Sequence, residues 1–271
     1  TSIDENNASG AVVATLTATD PDGAASGYAG PFTYALVAGA GDTDNASFTI
    51  AGSNLQINNS ADFEGQNSFD IRVSVTDSGG LTYETTETIT INDVNENPTD
   101  IALSASDVDE NSASGTVIAT LSATDPDGAA SGFAGPFTYA LVAGDGTNDA
   151  DNGLVTIVGD QLQVNGSIDF ETNPNLELYI QVTDADGLSY TEAVSITVND
   201  VNDAPTDIIL SANTVDENAA AATVIATLSA TDVDAAVGNA GPFTYALVAG
   251  DGTNDADNGL VTIVGDQLQV N

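Results

Sequence analysis

Between residues 98 and 204, apolar and polar positions alternate in short runs and never hold a helical period for ten residues. The runs Asp100–Ala105, Gly115–Ala123, Phe137–Ala143, Leu154–Val158, Gln161–Val164, Leu176–Thr183 and Tyr190–Val198 each read as a strand, and Gly, Pro, Asn and Asp fill the gaps. Alternation is clearest in Leu178-Tyr179-Ile180-Gln181-Val182 and Val194-Ser195-Ile196-Thr197-Val198, where every second residue is aliphatic and so points to one face. Seven short strands rich in Val, Ile and Thr predict a two-sheet β-sandwich.

The same pattern recurs along the chain. Three blocks align on Asp4-Glu5-Asn6, Asp109-Glu110-Asn111 and Asp216-Glu217-Asn218, with the glutamates 105 and 107 residues apart. Fifteen residues after each glutamate comes an acidic turn: Asp20-Pro21-Asp22-Gly23, Asp125-Pro126-Asp127-Gly128 and Asp232-Val233-Asp234. The run Ala-Gly-Pro-Phe-Thr-Tyr-Ala-Leu-Val-Ala-Gly follows, starting at Ala29, Ala134 and Ala240, and residues 134–165 are identical to 240–271. This period is too long for a solenoid unit and suits a string of whole domains. The expected division is 1–97, 98–204 and 205–271. Block one is expected to lack its first strand and block three its last two, so the chain reads as a window on a longer array. Near-identity between blocks also argues against a private catalytic residue.

Charge changes the picture most. Among 271 residues there are 41 Asp and Glu against a single basic residue, Arg72, for a net charge of −40. Ion pairing can neutralise almost none of this, and nucleic acid and anionic membranes are poor partners. At 41% hydrophobic residues the blocks still have material for cores. Cys and His are absent, which excludes disulfides and zinc sites built on them. No apolar run approaches the roughly 20 residues of a membrane span, and no signal peptide is visible.

The acids are also concentrated. Asp93-Val94-Asn95-Glu96-Asn97-Pro98-Thr99-Asp100 recurs as Asp200-Val201-Asn202-Asp203-Ala204-Pro205-Thr206-Asp207, each time after a strand-like run that the proline stops. Two carboxylates about 4 Å apart, at an effective dielectric of about 20, repel by roughly 4 kcal/mol. A bound cation would offset that cost, and hard oxygens from carboxylates, amides and carbonyls are the donors Ca²⁺ prefers. Two more motifs recur in register, Asp62-Phe63-Glu64 with Asp169-Phe170-Glu171, and Asp77 with Asp184, thirteen residues beyond Glu64 and Glu171. Alone, an Asp-Pro-Asp-Gly sequence is an ordinary turn signal. Asp145-Gly146-Thr147-Asn148-Asp149-Ala150-Asp151-Asn152-Gly153 lacks the spacing of a helix–loop–helix calcium loop and reads better as a solvated hairpin loop.

With these five motifs in register, the chain resembles tandem cadherin repeats, in the form found in large bacterial surface and secreted proteins. The resemblance implies all-β, Greek-key, seven-stranded sandwiches of the cadherin and immunoglobulin-like kind, joined end to end as a rod with calcium between successive domains. Carried over by position, it implies that the first junction uses Glu5, Asp62, Glu64, Asp93, Asn95, Glu96 and Asn97 from above, with Asp125, Asp127 and Asp184 from below. The second uses Glu110, Asp169, Glu171, Asp200, Asn202, Asp203, Asp232 and Asp234, while Asp20, Asp22 and Asp77 face a preceding repeat. Glu96 stands where the family has Asp, adding a methylene, and Ala204 where it has Asn.

Three functions are open. The leading one is a calcium-stiffened extracellular spacer of a bacterial adhesin or surface fibre, whose partners are the adjacent repeats. The alternative is an adhesive module for polysaccharide or for another copy of the chain; Tyr34, Tyr139 and Tyr245 would stack on sugars if they faced solvent, while Phe32, Phe137 and Phe243 are expected in the core. A hydrolase built on a carboxylate pair is the third, disfavoured by the repetition. Replacing Glu110 is expected to loosen the second junction and leave the fold of block two in place.

Overall fold

The computed structural model describes residues 1–22, 27–28, 30–128, 133–236 and 241–271; Gly23, Ala29 and Ala240 of the repeated motifs lie outside these. The middle block contains β8 (Asp100–Leu103), β9 (Asp107–Asp109), β10 (Val117–Thr124), β11 (Thr138–Leu141), β12 (Val155–Val158), β13 (Gln161–Val164), β14 (Asn175–Thr183) and β15 (Ser189–Asn199). They form two sheets, β12-β13-β10-β8 and β11-β14-β15-β9. The chain passes between the sheets at β8–β9, β9–β10, β10–β11, β11–β12 and β13–β14, as in a Greek-key sandwich. All seven strands expected from alternation are present, within a few residues of their expected ends.

Alternation decides the core. Leu176, Leu178, Ile180 and Val182 on β14 are wholly buried, and they meet Ile196 and Val198 of β15 together with Leu121, Leu162 and Val164 of the facing sheet. Phe137 and Tyr139 both pack against this cluster. Phe137 comes just before β11 and Tyr139 lies on it two residues on, so both side chains face the same way and half-buried Tyr139 is turned toward the core. Burial, and then the charge of Asp160, push its phenol pKa up.

Sequence patterning misses the short β9. It pairs in parallel with the end of β15, Asp107 opposite Thr197 and Asp109 opposite Asn199. The first block repeats this with β1 (Ser2–Asp4) beside β7 (Thr82–Asn92), Asp4 opposite Asn92. Only one apolar residue, Val108 or Ile3, marks each of these strands, too few for a period to register. They matter because each delivers the Asp-Glu-Asn motif to the place where the last strand of a block becomes the linker.

In block one β2 (Val12–Thr15), β4 (Phe48–Ala51) and β5 (Asn54–Ile57) make a three-stranded sheet opposite β1-β7-β6-β3, with β3 at Thr33–Leu36 and β6 at Ser68–Thr76. No counterpart of β8 is present among the described residues. In block three β16 (Asp207–Leu210), β17 (Val224–Thr231), β18 (Val261–Val264) and β19 (Gln267–Val270) form a single sheet. Ile208 is 60% exposed there, whereas Ile101, at the same place in block two, is 4% exposed under its second sheet.

Candidate functional site

The two linkers and the loops around them make two equivalent clusters. At the first, Glu5, Glu64, Asp93 and Asp127 each place a carboxylate oxygen within 4.8 Å of the others; at the second, Glu110, Glu171, Asp200 and Asp234 do the same. In each set three residues precede the linker's proline and one comes from the acidic turn of the following block.

The glutamate of the Asp-Glu-Asn motif is held hardest. Glu110 is 3% exposed, and its two oxygens accept the backbone N–H groups of Phe170 and Val201 at 2.9 and 2.8 Å. Glu5 repeats this with Phe63 and Val94, both at 2.8 Å. One side chain thus ties the Asp-x-Glu loop to the start of the linker. Its backbone N–H is fixed too, to the carbonyl of Asn92 for Glu5 and of Asn199 for Glu110.

From the next block comes the Asp-x-Asp turn. Asp127 Oδ2 accepts the Glu96 N–H at 2.8 Å and Asp234 Oδ2 accepts the Asp203 N–H at 2.7 Å, so a buried carboxylate on one block grips the linker of the other. The first aspartate of each turn shapes it, with Asp125 Oδ1 and Asp232 Oδ1 accepting the N–H two residues on at 3.1 Å. The same local turn forms at Asp20 and Asp22, at 2.8 Å. Asp22 is nonetheless exposed where Asp127 is buried, so burial at this position comes from the linker and not from the turn. Asp20, Asp22 and Asp77 line one depression on block one.

Asp184 closes the first junction. Its Oδ1 accepts three N–H groups, from Asp186, Gly187 and Leu188, and its Oδ2 accepts the Asn95 amide at 2.9 Å. Burial works to raise its pKa, but these hydrogen bonds outweigh it and hold the carboxyl below its ordinary range. Asn202, at the matching place in the second linker, is exposed and donates to the Asp203 carbonyl at 2.9 Å. Asp62 and Asp169 are exposed and brace their own loops, through Gly65 N at 3.0 Å and through Thr172 Oγ1 at 2.8 Å. Neither belongs to the four-carboxylate clusters, and Asn97 is likewise exposed outside them.

The electrostatics are those of crowded anions. Desolvation first, then the charges of Glu5, Asp93 and Glu96, push the Glu64 pKa up to about 7 although the residue is exposed. Desolvation followed by the neighbouring Asp127 raises Asp93, and desolvation also leads the rise of Asp125. Glu171 is raised in the same sense. Several buried oxygens at these junctions have no hydrogen-bond partner: Asp93 Oδ1, Asn95 Oδ1, Asp125 Oδ2, Asp127 Oδ1 and Asp234 Oδ1. Buried acceptors normally find donors, so each of these needs one. All are hard oxygens, four on carboxylates and one on an amide, and that donor set fits a hard divalent cation.

Asn6 and Asn111, the last residues of the Asp-Glu-Asn motif, reach linker carboxylates in a way the sequence does not reveal. Asn6 Nδ2 donates to Glu96 Oε1 at 2.7 Å and Asn111 Nδ2 to Asp203 Oδ1 at 3.0 Å. The extra methylene of Glu96 is accommodated without losing this contact.

The loop at 145–153 organises itself. Asp145 Oδ1 accepts the N–H groups of Thr147 and Asn148, and both oxygens of Asp149 accept backbone N–H groups, from Gly146 and Gly144. Donation from Thr147 and Asn148 holds Asp145 below its usual pKa. Its carboxylates already have partners, in keeping with a hairpin loop.

A family model described as Cadherin domain matches residues 1–92 and 104–199. The chain belongs to the cadherin domain family. Mouse Protocadherin Fat 4 is 28% identical over 255 residues, which is 92% of this chain and 5% of that protein. Human Protocadherin gamma-A11 is 38% identical over 129 residues, 47% of this chain and 13% of that protein. The chain therefore spans a small part of the relatives it matches. Among solved structures, mouse Protocadherin-24 EC1-3 aligns over 100% of this chain and 82% of its own with a TM-score of 0.64 at 19% identity. The Protocadherin GammaB4 extracellular domain aligns over 99% of this chain and 42% of its own, with a TM-score of 0.60 at 24% identity. These likenesses show an all-β tandem fold, and the family is one of extracellular adhesion repeats. No described helix is long and apolar enough to cross a membrane.

Proposed function

We propose that this chain is a calcium-rigidified segment of an extracellular stalk, in which Ca²⁺ bound at the two linkers fixes the angle between successive sandwiches. The units are 1–97, 98–204 and 205–271, and the chain carries no catalytic activity. The observation that carries the reading is the pair of four-carboxylate clusters, each drawn from two blocks and containing a buried aspartate oxygen without a donor, Asp127 Oδ1 and Asp234 Oδ1. At the first junction Glu5, Glu64, Asp93 and Asp127 are the core ligands, with Asn95, Asp125 and Asp184 within the same shell. Glu110, Glu171, Asp200 and Asp234 take these roles at the second, with Asp232 completing the turn. Asp62, Asp169, Glu96, Asp203, Asn97 and Asn202 join as the shell closes. With one Arg in the chain, already paired to Glu84 at 2.9 Å, no protein cation is on hand to do this work.

Bound calcium would supply positive charge and a fixed coordination geometry bridging the blocks, while the protein residues hold the linker backbone and exclude water. A bacterial surface fibre is the setting that the acidic, near-identical repeats suit best. Small-angle scattering tests the proposal: calcium is expected to give one extended particle, and EDTA a broader distribution of shapes. Identical profiles in the two conditions would refute it.

A further inference from the structure

Three asparagines recur with a backbone that few residues tolerate. Asn6, Asn111 and Asn218 have φ of 55°, 56° and 61°, and they make up three of the four left-handed non-glycine residues among those described. Asparagine is enriched in this region, but glycine adopts it at no steric cost. Conformation alone therefore does not account for the choice. The side chain does: its amide donates to Glu96 Oε1 at 2.7 Å in one junction and to Asp203 Oδ1 at 3.0 Å in the other. The contact persists although the acceptor is Glu in one linker and Asp in the other. The asparagine is itself anchored, its N–H bonded to the Ala61 carbonyl at 2.9 Å or the Ile168 carbonyl at 3.0 Å, next to the pinned Glu5 or Glu110.

We infer that Asn6 and Asn111 are positioning residues: each uses its left-handed backbone to aim an amide at the linker carboxylate, occupying one oxygen and presenting the other to the junction cation. This rests on the calcium reading above. Aspartate in its place would lose the donor and add a charge to the cluster. Glycine would keep the turn and lose the aim. Outer-shell partners of metal ligands typically contribute about 10–100-fold to affinity.

The test uses the whole chain carrying N6G and N111G together, which keeps the turn available, and the same pair added to E96A/D203A. Calorimetric titration with calcium chloride is expected to show about tenfold weaker binding for N6G/N111G, with a cooperative melt retained in EDTA. In the E96A/D203A background the glycine pair should have no further effect on affinity. In calcium-free protein, the side-chain amide resonances of Asn6 and Asn111 should shift when Glu96 and Asp203 are removed. Unchanged affinity in N6G/N111G, or an equal loss in both backgrounds, overturns the inference and leaves the calcium reading standing. Absence of calcium uptake by the unsubstituted chain overturns both.

Discussion

Asp127→Asn separates the two jobs of a buried carboxylate at the first junction. Asp127 is 5% exposed; Oδ2 accepts the Glu96 N–H and Oδ1 has no partner. The amide is isosteric, so its oxygen can keep Glu96 while its nitrogen enters the cluster as a donor. Without calcium the change relieves repulsion. At the 4.8 Å limit separating these oxygens, the Asp93–Asp127 pair alone costs about 3.5 kcal/mol at an effective dielectric of about 20. Solvent around half-buried Asp93, and its raised pKa, reduce this to about 1 kcal/mol. For a domain of this size that is a rise in Tm of about 4–8 °C in EDTA. With calcium the balance reverses. At a calcium concentration 100-fold above Kd, binding stabilises the native state by about 2.7 kcal/mol, and a tenfold weaker site loses about half of that gain. Differential scanning calorimetry of both proteins, in EDTA and in calcium, reads the two effects. A lower Tm for the variant in EDTA, or a calcium-induced shift equal to that of the parent, would refute the reasoning.

Glu110→Ala should behave oppositely in EDTA: Phe170 and Val201 lose their acceptor, and Tm should fall by the equivalent of about 1–3 kcal/mol even without metal. A circular dichroism melt checks this, and an unchanged Tm would mean that Glu110 serves as a ligand alone. Glu64, raised to about 7 from 4.5, links stability to pH. Its folded pKa lies above the unfolded one, so its contribution without metal is full below about 4.5 and is lost as pH rises through about 7. Protons compete with calcium there, so the calcium-induced Tm shift should be larger at pH 8 than at pH 5.5, with protons released on binding at pH 6; calorimetry in buffers of different ionisation enthalpy measures both. Ile101→Ala should cost about 2–5 kcal/mol and Ile208→Ala under about 1 kcal/mol, because the second side chain is 60% exposed. Equal losses in chemical denaturation would mean that block three has a covered core.

The sandwich was legible because its strands are half-buried: a period of two is visible wherever one face meets a core and the other meets water. Leu176, Leu178, Ile180 and Val182 mark it without ambiguity. β1 and β9 left no such trace, being three residues long with one apolar side chain each, and they form through pairing to a strand nearly 90 residues away. The acidic motifs were legible by repetition, and the resemblance drew them to the junctions, but their hydrogen bonds were not. Glu5 and Glu110, expected there as ligands, are also buried acceptors of two backbone N–H groups each. Asp127 and Asp22 make the same hydrogen bond to the aspartate two residues before, and the buried one also meets the linker at Glu96. Asn6 and Asn111 belong to the most obvious motif in the chain. Their meaning depends on a left-handed φ and on a carboxylate that reaches them only once the blocks are docked.

The most direct measurement is an anomalous difference map from crystals grown in millimolar calcium. The account predicts peaks between Glu5, Glu64, Asp93 and Asp127 and between Glu110, Glu171, Asp200 and Asp234, each within bonding distance of the aspartate oxygens that have no hydrogen-bond donor. Well-ordered junctions with no peak at either place would contradict it.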